Sequence, residues 1–295
     1  MHSNNKHLNG YNIEALALGH PQLQQYVVKR KDGISSIDFG NPKAVKELNR
    51  ALLRVDYNID FWNFSDHNLC PAIPGRADYL LYLNDWLNSK NEKGDIKVLD
   101  IGTGATLVYP LLGNSLFNWS FLGSEVSKTS IENAQQIIDQ NGMSESIAVI
   151  HQPNSFRILE HVLKEDSSFT LSMCNPPFFE SEEQAQKATE KKLRGLGKDN
   201  EDFKRNFSGV HNELWIKGGE RKFIERYILE SSNYKTQVKW YSCLVSDKDL
   251  VRGFKVKLKK AGCKKYATIK MEHGHKKLQV LIWSYTDESI VFNSL

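Results

Sequence analysis

Long apolar runs are missing from this chain of 295 residues: none approaches the roughly 20 residues that a membrane-spanning helix needs. The opening Met1-His-Ser-Asn-Asn-Lys-His7 lacks a signal-peptide core, so a cytoplasmic protein is expected. Cysteine is scarce. Cys70, Cys174, Cys243 and Cys263 are far apart and form no C-x-x-C pair, which fits reduced thiols and argues against a disulfide or zinc framework. The nine histidines form no metal-ligand pattern; His273-Gly-His275 could chelate, but on a strand-like segment it reads as a polar surface, and no metal is expected. Internal repeats and low-complexity linkers are absent, and the 25% charged content is ordinary for a folded protein.

Proline is also sparse, with eight in all, yet two stand side by side in Asn175-Pro-Pro-Phe178. This tetrapeptide follows Phe169-Thr-Leu-Ser-Met-Cys174, an apolar run that reads as a buried strand. The Asn175 side-chain oxygen and the Pro176 carbonyl are both acceptors, suited to the two protons of an exocyclic amine. The two prolines fix the backbone, and Phe178 offers a face for stacking. A Pro-Pro turn that merely ends a strand is the plainer alternative. A second motif, Ile96-Lys-Val-Leu-Asp-Ile-Gly-Thr-Gly104, runs a strand into a tight turn, with the next helix expected near Ala105. A dinucleotide fingerprint wants a third glycine where Leu107 stands, so NAD is not expected. Asp100 followed by Gly102 and Gly104 resembles the first motif of class I S-adenosylmethionine-dependent methyltransferases. The next strand-like run, Trp119 to Ser124, ends at Glu125, an acid placed to hold ribose hydroxyls.

Residues 1 to about 40 read as an extension with one helix candidate, Asn12 to Gly19. A helix opens at Asn41 or Pro42 and runs through Arg54, because Val45, Leu48, Leu52 and Leu53 recur at helical spacing. A second passes through Tyr79, Leu80, Leu83 and Leu87. From Lys97 onward, strand candidates marked by Val98, Phe121, Ile147 and Leu171 alternate with helices, the pattern of a mostly parallel sheet covered on both faces. Trp119 and Phe121 are expected in its core. The stretch from Glu180 to Asn212 is a long polar loop, expected to be mobile without a partner. Glu213 to Ser232 reads as a helix introduced by Gly218-Gly219, and Asp247 to Ala261 as a basic amphipathic helix; Gln237 to Val245 reads as a strand, and Tyr266 to Met271 with Leu278 to Tyr285 as an antiparallel pair.

Together these residues resemble the bacterial ribosomal RNA large subunit methyltransferase F family, 23S rRNA adenine-N6 methyltransferases related to eukaryotic enzymes of U6 small nuclear RNA. The resemblance rests on Asp38-Phe-Gly-Asn-Pro-Lys-Ala-Val-Lys-Glu-Leu-Asn49, Leu69-Cys-Pro-Ala-Ile-Pro-Gly-Arg-Ala-Asp-Tyr79, Leu99-Asp-Ile-Gly-Thr-Gly-Ala105 and Tyr109-Pro-Leu-Leu-Gly113. It continues through Cys174-Asn-Pro-Pro-Phe178, Glu213-Leu-Trp215, Gly218-Gly-Glu220 and Trp283-Ser-Tyr285. It implies a Rossmann-like class I methyltransferase domain at 91–295, with a seven-stranded, mostly parallel α/β sheet and one antiparallel strand near its end. Residues 1–90 would be an N-terminal helical extension with RNA-contacting and cofactor-covering elements, packed as one unit with that domain. The implied cofactor is S-adenosylmethionine, with Arg76 on its methionine carboxylate and Glu125 on its ribose. Asp100, Gly102, Gly104, Thr106, Ser155 and Asn175 would border it, while Asn175, Pro176, Pro177 and Phe178 hold the target adenine.

Charge points the same way. Between Arg252 and Lys277 there are ten Lys or Arg against one acid, and Lys187 to Arg205 carries seven basic and four acidic residues. An excess of that size neutralises several phosphates, and Lys191, Lys192, Arg194, Lys257, Lys259 and Lys260 are the expected RNA contacts. The expected partner is 23S rRNA or a large-subunit assembly intermediate, bound by a monomer. Other readings use the same residues: methylation of another structured RNA, methylation of a protein glutamine, or an idle RNA-binding module. The glutamine enzymes usually carry Tyr where this chain has Phe178.

Overall fold

The computed structural model describes residues 1–181, 183, 184, 187, 215–273 and 276–286, with the backbone alone at 272, 273, 276 and 277. Helix α1 (Ile13–Gly19) starts at Asn12, whose side chain accepts from the Ala15 N–H. A hairpin of β1 (Val27–Lys29) and β2 (Ser35–Ile37) follows; its three-residue strands show no apolar alternation, and the sequence does not announce it. In α2 (Pro42–Tyr57), Asn41 caps the N–H groups of Lys43 and Ala44, and the helix runs three residues past Arg54 until Asn58 turns left-handed at φ 56°.

Helix α3 (Ile73–Ser89) is buried on most sides, Tyr79, Leu80, Leu83 and Leu87 included. Its first turn is tied to the chain's start. The Asn5 side chain donates to the Pro74 carbonyl (2.9 Å) and to Asp78 Oδ1 (2.6 Å), which also accepts from the His2 N–H (3.0 Å). The polar opening segment is thus partly interior: His2, Asn5 and His7 are buried.

The sheet proper begins with β3 (Lys97–Ile101), followed by α4 (Val108–Phe117), β4 (Ser120–Glu125), α5 (Lys128–Gln140), β5 (Ile147–His151) and β6 (Phe169–Cys174). Helix α4 starts three residues later than expected, because Leu107 itself turns left-handed (φ 51°) before the helix begins. After the loop come α6 (Gly219–Ser231), β7 (Val238–Val245), α7 (Leu250–Lys260), β8 (Lys265–His273) and β9 (Lys276–Ser284). The helix expected from Glu213 is corrected here: Trp215 is extended and bridges Phe179, Gly218 and Gly219 have φ of 90° and 60°, and helical turns begin only at Gly219. Residues 213 and 214 lie outside the described ones.

The seven strands are ordered β5-β4-β3-β6-β7-β9-β8, parallel from β5 to β7, with β9 antiparallel to both its neighbours. Side chains alternate between two cores. Val98, Phe121, Leu171 and Trp240 pack under α2 to α5, whereas Leu99, Cys174, Tyr241 and Trp283 pack under α6 and α7. Both faces are therefore dry, which explains why the strands read as short apolar runs. Trp119 and Phe121 are buried in the first core, and all four cysteines are free.

Candidate active site at the ends of the central strands

Strand order reverses between β3 and β6: β3 is followed outward by β4 and β5, and β6 by β7. The crevice beyond the carboxyl ends at such a reversal is where open α/β sheets bind ligands. Strand β3 enters the turn through Gly102 and Gly104, with φ of 71° and 67°. A Cβ on either glycine would meet nothing within 4 Å, so both border open space. The N–H groups of Gly102 and Thr103 donate to the Ser124 carbonyl (2.9 and 3.0 Å), which locks the turn to the end of β4. Glu125 closes the same corner. Its Oε2 accepts from Gly104 N–H (3.0 Å) and its Oε1 from the N–H groups of Val126 and Ser127 (2.8 and 3.0 Å). A carboxylate so held cannot swing, and Oε2, with one donor, keeps a lone pair for a hydroxyl.

Asp100 is buried at the tip of β3, and its Oδ2 has no hydrogen-bond partner. Burial pushes its carboxyl up to about 7; Glu125 adds to the shift, while Thr103 and Arg76 oppose it. Thr103 Oγ1 and the Tyr109 hydroxyl are also buried without partners. The Arg76 guanidinium, in the first turn of α3, lies over the Tyr109 ring at 5.7 Å. Thr106 is buried, and its carbonyl accepts from the Trp62 indole N–H at 2.8 Å. Asn133 donates to the carbonyls of Ala105 (2.8 Å) and Asn63 (2.9 Å), so the aromatic loop after α2 is stapled over the start of α4.

Beyond β6, Asn175 Oδ1 is a further buried acceptor without a partner. Pro176 is buried, and Pro177 and Phe178 are half-buried. Phe179 then pairs with Trp215, and its carbonyl accepts from the Ile216 N–H (3.1 Å), so the chain re-enters beside the tetrapeptide. Four buried, unpartnered polar atoms (on Asp100, Thr103, Tyr109 and Asn175) thus lie on the two segments that flank the strand reversal. Buried polar atoms are nearly always satisfied, and such a group at a crevice suits a polar ligand.

Ser155 is exposed, in the loop after β5. That loop is held by Glu230, a residue the sequence did not single out. Its Oε2 accepts from the N–H groups of Ile158 and Leu159 (both 2.9 Å) and Glu160 (3.4 Å). An acid on an otherwise ordinary helix gives no local sign of such a role. Phe156 is exposed, with the Arg226 guanidinium 5.8 Å from its ring. Among the predicted RNA contacts, Lys257, Lys259 and Lys260 occupy the last turn of α7. Because α7 runs back from the carboxyl end of β7, this turn lies at the end of the sheet opposite Asn175. The structure does not bring the two together. Lys257 also pairs with Glu225 at 3.5 Å. Lys191, Lys192 and Arg194, with most of the long loop, lie outside the described residues, as do residues 274 and 275.

Known proteins resemble this chain along nearly its whole length. The chain is 42% identical over 294 residues to Ribosomal RNA large subunit methyltransferase F of Pseudoalteromonas translucida, covering 98% of this chain and 94% of that protein. It is 41% identical over 298 residues to the protein of that name from Flavobacterium johnsoniae, at 98% and 94% coverage. The crystal structure of the human METTL16 N-terminal domain in complex with SAH superposes with a TM-score of 0.78 at 28% identity, covering 97% and 99% of the two chains. A METTL16 catalytic domain in complex with a MAT2A 3'UTR hairpin gives 0.81 at 29% identity, with 99% of each chain covered. A family model described as RNA methyltransferase matches residues 1–287, and the chain belongs to that family.

Proposed function

We propose that this protein transfers a methyl group from S-adenosylmethionine to N6 of one adenosine in 23S ribosomal RNA. Supporting the substrate are the bacterial relatives, which bear the ribosomal RNA name along nearly their whole length. Carrying the chemistry is the Oδ1 of Asn175, a buried acceptor with nothing to accept from. The cofactor fits the residues present: two glycines beside open space, a fixed carboxylate at Glu125 and an unpartnered Asp100. In this reading Arg76 takes the methionine carboxylate in an ionic hydrogen bond, Glu125 takes the ribose, and Gly102, Gly104, Thr106 and Ser155 line the pocket. Residues 1–90 cover the cofactor and share in RNA contact.

Bound there, S-adenosylmethionine supplies a methyl carbon made electrophilic by its sulfonium. The N6 lone pair of adenine is delocalised into the ring and is a poor nucleophile. Asn175 Oδ1 and the Pro176 carbonyl accept hydrogen bonds from the two N6–H groups, which favours a more pyramidal amine and aims its lone pair. The C–S bond breaks as the N–C bond forms, and one N6 proton is then lost to water. Phe178 stacks on the base, and the prolines keep the two acceptors from drifting. Rate then comes from positioning and from dipoles that need no reorganisation. The adenosine has to leave its stack to reach Asn175.

The test is mass spectrometry of digested 23S RNA from deleted and complemented strains. Deletion should remove one N6-methyladenosine and leave other modifications unchanged. Unaltered N6-methyladenosine there, with loss in another RNA or in N4-methylcytidine, would overturn the substrate.

A further inference from the structure

Tyr109 opens the Tyr109-Pro-Leu-Leu-Gly113 segment at the start of α4. Its hydroxyl is buried without a partner, and its ring carries the Arg76 guanidinium at 5.7 Å. The ring cannot turn away. It stands edge-on to Tyr79 at 5.7 Å, and Tyr79 is itself pinned by a hydrogen bond to Ser242 Oγ (2.9 Å), which donates on to the Ser172 carbonyl (2.8 Å). Burial raises the phenol above its usual range; Arg76 opposes that shift and Asp100 adds to it. Two charged groups thus act on it, Arg76 and Asp100, one of each sign. Asp100, too, keeps a buried oxygen unpartnered.

From this arrangement we infer that Tyr109 belongs to the methionine end of the cofactor site, in two ways. Its ring face positions Arg76 for the carboxylate, and its hydroxyl oxygen, with Asp100, accepts from the ammonium. A phenol oxygen and a carboxylate, both short of donors, suit a group with three N–H bonds and a positive charge. This rests on the cofactor reading above. It adds that the α-amino acid end is recognised by an aromatic hydroxyl in the first turn of α4.

Calorimetry on the full chain tests it with two probes, S-adenosylhomocysteine and 5'-methylthioadenosine, which lacks the amino-acid end. Tyr109→Phe keeps the ring and removes the hydroxyl. It should weaken S-adenosylhomocysteine by roughly tenfold, the loss of one hydrogen bond to a charged group, with methylthioadenosine binding unchanged. Tyr109→Leu also removes the platform under Arg76, so it should weaken S-adenosylhomocysteine further, toward the level of Arg76→Ala, again sparing methylthioadenosine. Loss of both probes together in the variants would mark a merely structural residue and overturn the proposal. So would wild-type S-adenosylhomocysteine affinity in Tyr109→Phe. Failure of the wild-type protein to bind either probe would instead remove the cofactor reading, and this inference with it.

Discussion

Asp100 keeps one carboxyl oxygen buried and unpartnered, an arrangement that costs on the order of 1–3 kcal/mol until something donates to it. Its carboxyl titrates near 7 instead of the ordinary 3.8, mainly through burial. The sign of the consequence is fixed by linkage. Between those values the folded chain holds a proton that the unfolded chain has released, so this contribution to stability is complete below the unfolded value and lost as pH rises through about 7. Thermal denaturation of the apo protein should therefore show a midpoint that falls from about pH 5 to about pH 8 more steeply in wild type than in Asp100→Asn. Cofactor affinity should move the other way, rising over that window, since a cationic ammonium favours the ionised carboxyl; a flat calorimetric profile would exclude the contact. Asn175 answers to a different measurement. Asn175→Ala removes an acceptor from the target amine and should lower single-turnover methylation by about 100-fold or more. Its S-adenosylmethionine affinity should stay close to wild type, and a variant that methylates at the normal rate would end the acceptor role.

Helices and central strands were legible because burial writes a pattern into the sequence: Leu48, Leu52 and Leu53 at helical spacing for α2, and short segments centred on buried apolar residues for β3, β4 and β6. Elements held by polar contacts write none. The hairpin of β1 and β2 and the burial of His2 and Asn5 went unannounced for that reason, whereas α4 starts late because Leu107 turns left-handed. The candidate site divides the same way. Gly102, Glu125 and Asn175 stood out as motif, whereas Glu230 and Asn133 support neighbouring loops through hydrogen bonds to backbone that no local pattern encodes. The first turn of α3 illustrates what such contacts do. Asn5 satisfies the Pro74 carbonyl and shares Asp78 with the His2 N–H, each of the two helix residues standing two positions from Arg76. Asn49 of α2 holds the Pro71 carbonyl (3.0 Å) just before it. Asn5→Ala should thus destabilise the fold by about 1–3 kcal/mol, through a buried carbonyl and carboxylate left short of a donor. It should also weaken S-adenosylhomocysteine several-fold, because the turn that carries Arg76 loosens. Calorimetry set beside thermal melting separates the two effects, and unchanged affinity would detach the opening segment from the site.

Charge is arranged at the scale of the whole molecule. The net charge is only +4, yet the last turn of α7 gathers Lys257, Lys259 and Lys260. At roughly 1.5 Å per residue these lysines lie about 10–15 Å along α7 from its start, at the end of the helix away from the crevice where Asn175 lies. An RNA of about two or three nucleotides, at roughly 3.4 Å per phosphate, falls short of that turn, whereas a structured domain of ribosomal RNA reaches it. The three lysines should accordingly matter only for long substrates. Reversing them to Glu should weaken binding of a structured 23S fragment and flatten its salt dependence, by up to about 2–3 in log–log slope if all three meet phosphates. Lys257→Glu has a second effect: its carboxylate would face Glu225, now its ion-pair partner, so the variant lacking that change serves as control for stability. A short oligonucleotide carrying the target adenosine should bind both proteins alike, and S-adenosylhomocysteine affinity should not move. Equal loss on the short and the long RNA would place these lysines at the crevice by some route the fold does not offer. An unchanged long-RNA affinity would leave the last turn of α7 as a solvated face. The salt titration on the two substrates decides between these outcomes, because each contact to phosphate releases counterions wherever on the surface it is made.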